Sequence, residues 1–139
     1  MIDLKVHHYG LATDNLERSI ETLRSFEYHV GEITYDPIQN VRVAFASRPQ
    51  EAMIELICDF DENGPTHRFV SKTGNGLYHI CYEVDNLEET MVKLRDKGFL
   101  LRHAPVPAIA CNGKRIAWMY NRYIGLIELL EKSKGELHG

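Results

Sequence analysis

An internal repeat constrains the fold of this chain more than any other feature of its sequence. Moving residues 8–24 forward by 71 positions gives seven identities in 17 positions, where chance would give about one. These identities place His8 on His79 and the run Asp14-Asn15-Leu16-Glu17 on Asp85-Asn86-Leu87-Glu88. Similarity at a fixed offset is typical of a duplicated structural unit. We therefore predict two related halves.

The repeat continues towards the end of each half with a slightly larger offset. Moving the chain by 73 positions places Ile54-Glu55-Leu56 on Ile127-Glu128-Leu129 and Arg42 on Arg115. The change in offset needs only two additional residues in a loop of the second half, and surface loops accept such insertions. Each half is therefore expected to begin with a strand that carries a histidine and to end with a strand that carries a glutamate.

Hydrophobic periodicity predicts the element order βαβββ in both halves. In the first half, we expect strands at residues 4–12, 28–35, 41–47 and 52–58. In the second half, we expect strands at residues 77–84, 99–103, 114–120 and 125–131. The run Ala104-Pro105-Val106-Pro107 is expected to interrupt regular structure. The helices are predicted to begin at Asp14 and Asp85, because each starts an Asp-x-x-Glu pattern that is typical of a capped helix.

The chain length favours one domain built from both halves. A module of about 65 residues would be marginally stable alone, because small domains bury a small fraction of their surface. We therefore predict a single domain over residues 1–139, with module 1 at about residues 4–60 and module 2 at about residues 76–132.

Composition and charge argue against several classes of function. The net charge is -4 and the chain has no basic run, so nucleic acid is not expected as a partner. The apolar runs are too short to cross a membrane, and the amino terminus lacks the apolar segment of a signal peptide. Cys58, Cys81 and Cys111 have no metal-binding or disulfide spacing, which favours reduced thiols and a cytoplasmic location. The charged residues 132–139 are expected to be frayed.

Alternation along the strands predicts where the repeated polar side chains point. The apolar neighbours of each repeated glutamate are expected to face the helix, so Glu55 and Glu128 should face the opposite, concave side of the sheet. His8 and His79 are also expected on the face away from the helix. The two halves thus present the same pair of residue types on the same face.

The four polar residues together indicate a metal site. A single strand histidine is usually hydrogen-bonded and a single strand glutamate is usually solvated. Four such residues at duplicated, apolar positions would be costly to bury unless a cation compensates for the lost hydration. We predict that His8, Glu55, His79 and Glu128 bind one divalent metal ion. Two imidazoles and two carboxylates without a thiolate suit Zn, Ni, Co, Mn or Fe(II), and such an ion can act as a Lewis acid towards a carbonyl.

The same residues resemble the vicinal oxygen chelate superfamily, which includes glyoxalase, bleomycin resistance and dioxygenase proteins. The similarity is greatest to the methylmalonyl-CoA epimerase-like group and covers nearly the whole chain. It rests on His-x-Gly-x-Ala at residues 8–12, on residues 76–85, on Asn112-Gly113-Lys114-Arg115 and on residues 126–129. The resemblance implies an α+β fold in which tandem βαβββ modules form a curved eight-stranded cup around a metal.

The resemblance also implies roles for particular residues. It places the metal ligands at His8, Glu55, His79 and Glu128, and it makes Glu128 the residue that exchanges a proton with the substrate. The expected activity is that of a metal-dependent isomerase or epimerase, which transfers a proton next to a carbonyl or thioester. The expected partner is a small-molecule substrate, with an acyl-CoA as a candidate, and a homodimer is a candidate assembly.

Two departures from the epimerase pattern leave other functions open. Glu55 is glutamate, as in glyoxalase I, where epimerases commonly have glutamine, so a glyoxalase-like lyase is an alternative. Ile38 stands where the resemblance places a catalytic glutamate, so a non-catalytic small-molecule-binding protein is a second alternative. Asp36 and Cys111 are further candidates for proton transfer, against structural roles in a turn and in the core.

The paired arginines Arg42 and Arg115 allow two interpretations. They could bind an anionic group of a substrate, or they could have equivalent structural roles in the two halves.

Overall fold

The structure is a computed structural model that describes residues 2–132, and it contains the predicted βαβββ order in both halves, with the second strand of the first half divided in two. The elements of the first half are β1 (Lys5–Ala12), α1 (Leu16–Ser25), β2 (His29–Val30), β3 (Thr34–Asp36), β4 (Val41–Ser47) and β5 (Met53–Asp59). Helix α2 (His67–Thr73) follows. The second half contains β6 (Gly76–Val84), α3 (Leu87–Asp96), β7 (Leu100–Ala108), a 3-10 turn (Ile109–Cys111), β8 (Lys114–Asn121) and β9 (Gly125–Glu131).

The chain forms two compact units, which we call the N-terminal unit (residues 8–78) and the C-terminal unit (residues 2–7 with residues 79–132). The single-domain organisation of residues 1–139 stays a prediction. The predicted frayed tail lies outside the described residues except for Lys132. No helix within residues 2–132 is both long and apolar enough to span a bilayer.

The N-terminal unit packs α1 on one face of a mixed sheet. Strand β5 pairs with β1 in parallel and with β4 in the antiparallel sense, and β4 also pairs with β2 and β3. Its core consists of buried α1 residues and strand residues on the helix-facing side: Leu16, Ile20, Leu23, Val30, Ala44, Ala46, Leu56 and Cys58. Ile54 packs against this core. The prediction that the apolar neighbours of Glu55 face the helix is therefore confirmed.

The C-terminal unit repeats this arrangement with α3. Strand β9 pairs with β6 in parallel and with β8 in the antiparallel sense, and β7 forms the outer strand on β8. The helix-facing core contains Val84, Leu87, Met91, Leu94, Ala117, Met119, Ile127 and Leu129. Ile127 and Leu129, which flank Glu128 in sequence, are thus committed to packing against the helix.

The helix starts differ from the prediction by one residue. Asn15 and Asn86, rather than Asp14 and Asp85, are the capping residues. The Asn15 side chain accepts a hydrogen bond from the N–H of Arg18 at 3.1 Å, and the Asn86 side chain accepts one from Glu89 at 2.9 Å. An asparagine cap satisfies an N–H group that has no partner inside the helix. The Asp-x-x-Glu interpretation of both starts is wrong.

Two strands also differ from the prediction. The strand expected at residues 28–35 is divided into β2 and β3, which makes nine strands within residues 2–132 instead of eight. Strand β7 continues to Ala108 through Pro105 and Pro107, which were expected to end it. The β7–β8 pairing shifts register between Leu101 and His103 and again before Val106. An outer strand tolerates proline at such bulges, because it does not need every N–H for pairing.

Arg115 on β8 connects helix α3 to strand β9. Its guanidinium donates hydrogen bonds to both carboxylate oxygens of Glu88, at 2.8 and 3.0 Å, and to Glu131 at 2.9 Å. Glu131 also accepts a hydrogen bond from the N–H of Leu87, the first residue of α3, at 3.1 Å. The equivalent Arg42 donates to Glu17 on α1 at 2.7 Å. Both arginines therefore have the structural role that the sequence offered as one of two interpretations.

We expect Arg115→Gln to lower the free energy of unfolding by about 1 kcal/mol, because this ion-pair network is largely solvent-exposed. The hydrogen bonds from Arg115 lower the pKa of Glu88 below its ordinary value. Their contribution is therefore present at neutral pH and is lost as the pH falls through the lowered pKa. Thermal unfolding at about pH 7 and about pH 3 measures both effects. Arg42→Gln is the matched control, because Arg42 bonds a single carboxylate, that of Glu17. An equal loss of unfolding free energy in the two variants would mean that the bond from Arg115 to Glu131 adds no stability.

Candidate metal centre

His8 and Glu55 form a buried pair in the N-terminal unit. The parallel register of β1 and β5 aligns Gly10 with Glu55 and His8 with Met53, so the imidazole approaches the carboxylate diagonally. The His8 Nε2 and Glu55 Oε1 atoms are 3.4 Å apart. The two residues are 1% and 7% exposed. Burial at this level requires that both polar groups be compensated by partners or by an ion.

His79 and Glu128 form the equivalent pair in the C-terminal unit. The parallel register of β6 and β9 aligns Cys81 with Glu128, which again places the histidine one step along the same face. The His79 Nε2 and Glu128 Oε1 atoms are 3.2 Å apart, and the two residues are 5% and 4% exposed. The duplicated sequence thus produces duplicated geometry in each unit.

Each histidine ring contacts an aromatic ring edge to face. Phe45 lies 5.4 Å from His8 at an interplanar angle of 76°, and Trp118 lies 4.7 Å from His79 at 87°. Register places Phe45 opposite Glu55 and Trp118 opposite Glu128. These rings restrict the orientation of both imidazoles. Phe45 was not among the predicted site residues, although the offset of 73 positions aligns it with Trp118.

The donor atoms of these residues fit a divalent cation. Each unit offers one imidazole nitrogen and one carboxylate oxygen, and both members of each pair are buried. Nitrogen and oxygen donors without a thiolate suit a borderline or hard metal ion.

Asp36 is committed to the turn between β3 and β4. Its carboxylate accepts hydrogen bonds from the N–H groups of Ile38 and Gln39 at 3.0 and 3.1 Å, and from the Gln39 amide at 2.9 Å. Asp36 is 1% exposed, whereas Ile38 is 55% exposed. These contacts favour the structural role of Asp36 over its hypothetical role as a base.

We expect Asp36→Ala to lower the free energy of unfolding by about 2 kcal/mol, because two backbone N–H groups lose their acceptor. Asp36→Asn keeps an oxygen that accepts from the two N–H groups and loses only the acceptor for the Gln39 amide, so its loss of stability should be smaller. Urea unfolding of both variants measures the difference. An equal loss of stability in the alanine and asparagine variants would contradict the role of the Asp36 oxygen as the acceptor for the two turn N–H groups.

The cysteines contribute no disulfide within residues 2–132. Cys81 is fully buried beside Ala108, Ile116 and Leu130, and Cys111 packs against this cluster. The sequence favoured a buried, inert Cys111, but the structure places it at intermediate exposure at the end of the 3-10 turn.

Two βαβββ modules, each with a buried histidine and glutamate on the sheet face opposite its helix, define a protein of the glyoxalase fold class. The predicted fold class is therefore confirmed. Residues 7–118 match the Glyoxalase/Bleomycin resistance protein/Dioxygenase superfamily, and the chain belongs to this family.

Its curated relatives include proteins named as epimerases. The chain is 28% identical over 132 residues to the mitochondrial methylmalonyl-CoA epimerase of Dictyostelium discoideum, covering 92% of this chain and 78% of the relative. It is also 32% identical over 141 residues to the uncharacterized protein YqjC of Bacillus subtilis, covering 96% of each. The named relative supports the prediction of an enzyme in this superfamily and gives no support to the lyase alternative.

A solved structure supports the same fold. A Streptomyces coelicolor methylmalonyl-CoA epimerase variant in complex with 2-nitronate-propionyl-CoA superposes with a TM-score of 0.83. The sequence identity is 21%, and the match covers 94% of this chain and 99% of that chain. Similarity at this level of identity establishes the shared fold.

Proposed function

We propose that this protein is a metal-dependent epimerase that acts on an acyl-CoA thioester of the methylmalonyl-CoA type. The observation that carries the proposal is the duplicated, buried pair of imidazole and carboxylate, His8 with Glu55 and His79 with Glu128. The relationship to proteins named methylmalonyl-CoA epimerase supports the choice of substrate.

We propose that these four side chains share one divalent cation, with Zn, Ni, Co, Mn and Fe as the candidates. The fixed imidazole orientations and the absence of a thiolate from the proposed ligand set support this assignment. A cation held by these residues would supply Lewis acidity, which stabilises negative charge on the carbonyl oxygen of a thioester.

Glu128 is the proposed catalytic residue. Its carboxylate accepts a proton from the carbon next to the thioester carbonyl, and the electron pair of the broken C–H bond delocalises onto the carbonyl oxygen. A proton from solvent then adds to the opposite face of that carbon, and Glu128 releases its proton to solvent, so the configuration inverts without net oxidation or reduction. Burial of Glu128 favours this step, because little water competes for its carboxylate.

Deuterium incorporation tests this proposal directly. The protein, loaded in turn with each candidate metal, is incubated in heavy water with methylmalonyl-CoA, and incorporation next to the thioester is followed by NMR. We expect incorporation that depends on the protein and on the metal. The absence of incorporation with every metal, across a panel of branched acyl-CoA thioesters, would reject the epimerase function.

One observation favours a non-catalytic binding protein as the second candidate. In the β3–β4 turn, Ile38 is apolar and the Asp36 carboxylate is already bonded to the turn, so neither is placed to serve as a second base. A binding protein would bind the thioester without deuterium incorporation. Asp36→Asn separates the roles further, since it should retain incorporation if Asp36 is structural and lose it if Asp36 is a base.

We also propose that the protein acts in a reducing compartment such as the cytoplasm, because its cysteines form no disulfide in the described residues.

A homodimer is the proposed assembly. Light scattering of the purified protein measures its mass in solution and tests this proposal.

A further inference from the structure

The sheet face that carries His79 and Glu128 is buried at one end of strand β8, which we call the closed end, and solvent-exposed at the other, which we call the open end. Side chains at the closed end, Cys81, Ile116 and Leu130, are at most 1% exposed. Two residues beyond Trp118, Tyr120 is 37% exposed, and Leu100, which pairs with Tyr120, is 66% exposed. Within the C-terminal unit, a ligand at Glu128 can therefore extend towards solvent along the Tyr120 end of the face.

Two arginines lie at this open end, each above a tyrosine ring. The Arg102 guanidinium carbon is 5.8 Å from the ring centroid of Tyr120, and that of Arg122 is 5.0 Å from the centroid of Tyr123. We call these four residues the open corner. Contact with a ring restricts each arginine while leaving most of its N–H donors available.

The arginines of the open corner differ from Arg115 in their charge partners. Arg115 is neutralised by Glu88 and Glu131. Neither Arg102 nor Arg122 forms an ion pair with another residue among residues 2–132. Exposed arginines without carboxylate partners suit an anion, and the planar guanidinium can bind a phosphate group through two hydrogen bonds.

The open corner lies at a suitable distance from the candidate metal centre for a long ligand. Trp118 contacts His79, and Tyr120 and Arg122 follow two and four residues later. A strand rises about 3.3 Å per residue, so this path measures roughly 7 to 13 Å. The pantetheine arm of a CoA thioester can cover such a path, which would place its phosphates and adenine beyond the strand end.

From this geometry we infer that the open corner binds the nucleotide portion of an acyl-CoA. Arg102 and Arg122 contact its phosphates, and the exposed tyrosine rings offer stacking surfaces for adenine. This inference rests on the proposed function, because it assumes that the acyl group lies at His79 and Glu128.

Binding measurements on the full chain test the inference without requiring turnover. The probes are propionyl-CoA and propionyl-pantetheine, which lacks the phosphates and adenine, and calorimetry measures both dissociation constants. We expect the double variant Arg102→Gln with Arg122→Gln to bind propionyl-CoA about tenfold more weakly. Its affinity for propionyl-pantetheine should be unchanged. The control Arg18→Gln with Arg95→Gln removes the same charge from exposed helix positions and should retain the original affinity for both probes.

The outcomes separate this inference from the proposed function. Equal affinity of the double variant and the control for propionyl-CoA would overturn the inference, as would equal affinity of the original protein for the two probes. If deuterium incorporation is absent but the double variant loses propionyl-CoA affinity, the epimerase proposal fails and the open corner stands as the nucleotide site.

Discussion

Replacing Glu128 with glutamine should lower the rate of deuterium incorporation by at least about a thousandfold. General acid–base catalysis commonly contributes a factor of about a hundred to ten thousand, and glutamine cannot accept the proton. The substitution preserves shape and a carbonyl oxygen, so the protein should remain folded. Single-turnover incorporation, measured with saturating thioester and metal, gives the rate of the chemical step.

Glu55→Gln is the matched control for this prediction. It makes the same chemical change at the duplicated position and leaves an oxygen donor in place. Because Glu55 is proposed only as a ligand, its glutamine variant should lose far less of the rate than the Glu128 variant. Similar losses at both positions would mean that the carboxylates act only through the cation, and the catalytic role of Glu128 would be wrong.

Removal of the metal should abolish incorporation and destabilise the protein. A ligand present at about a thousand times its dissociation constant stabilises the folded state by about 4 kcal/mol. For a chain of this size, that corresponds to a fall in the melting temperature of roughly 8 to 16 °C after chelation. Differential scanning calorimetry before and after treatment with a chelator measures the shift, and adding back each candidate metal should reverse it.

His79→Ala provides the control for chelation. If the chelator acts by removing the cation from the proposed site, it should not change the melting temperature of this variant. A chelator-induced fall of the same size in both proteins would place the stabilising metal elsewhere. An unchanged melting temperature and rate in the original protein would remove the metal from the mechanism.

The sequence repeat predicted the elements and the faces of the candidate site for a physical reason. Strand alternation has a period of two, so the apolar neighbours of Glu55 and Glu128 determine which face each carboxylate occupies. The structure confirms that these neighbours pack against the helices. The pairing of each glutamate with a histidine in its own unit follows from the parallel register of the first and last strands, which sequence alone did not specify.

Other features depend on hydrogen bonds and strand pairing that hydrophobic periodicity does not reveal. The role of Asp36 is defined by hydrogen bonds within its turn, and the open corner depends on the register of β7 against β8 with its bulges. Pro105 and Pro107 predicted a break in β7, because proline is rare inside a sheet. The sequence pattern does not reveal that β7 is an edge strand, where proline is tolerated. The observed caps, Asn15 and Asn86, lie one residue after the predicted caps. This difference is within the one or two residues by which assignments of helix ends commonly vary.

The number of metal ions in the purified protein tests the central claim most directly, because it separates one shared site from two independent pairs. Elemental analysis of the original protein, His8→Ala and His79→Ala should find one divalent ion per chain in the first and almost none in either variant. Two ions per chain, or retention of the ion after either substitution, would contradict a single site formed by His8, Glu55, His79 and Glu128.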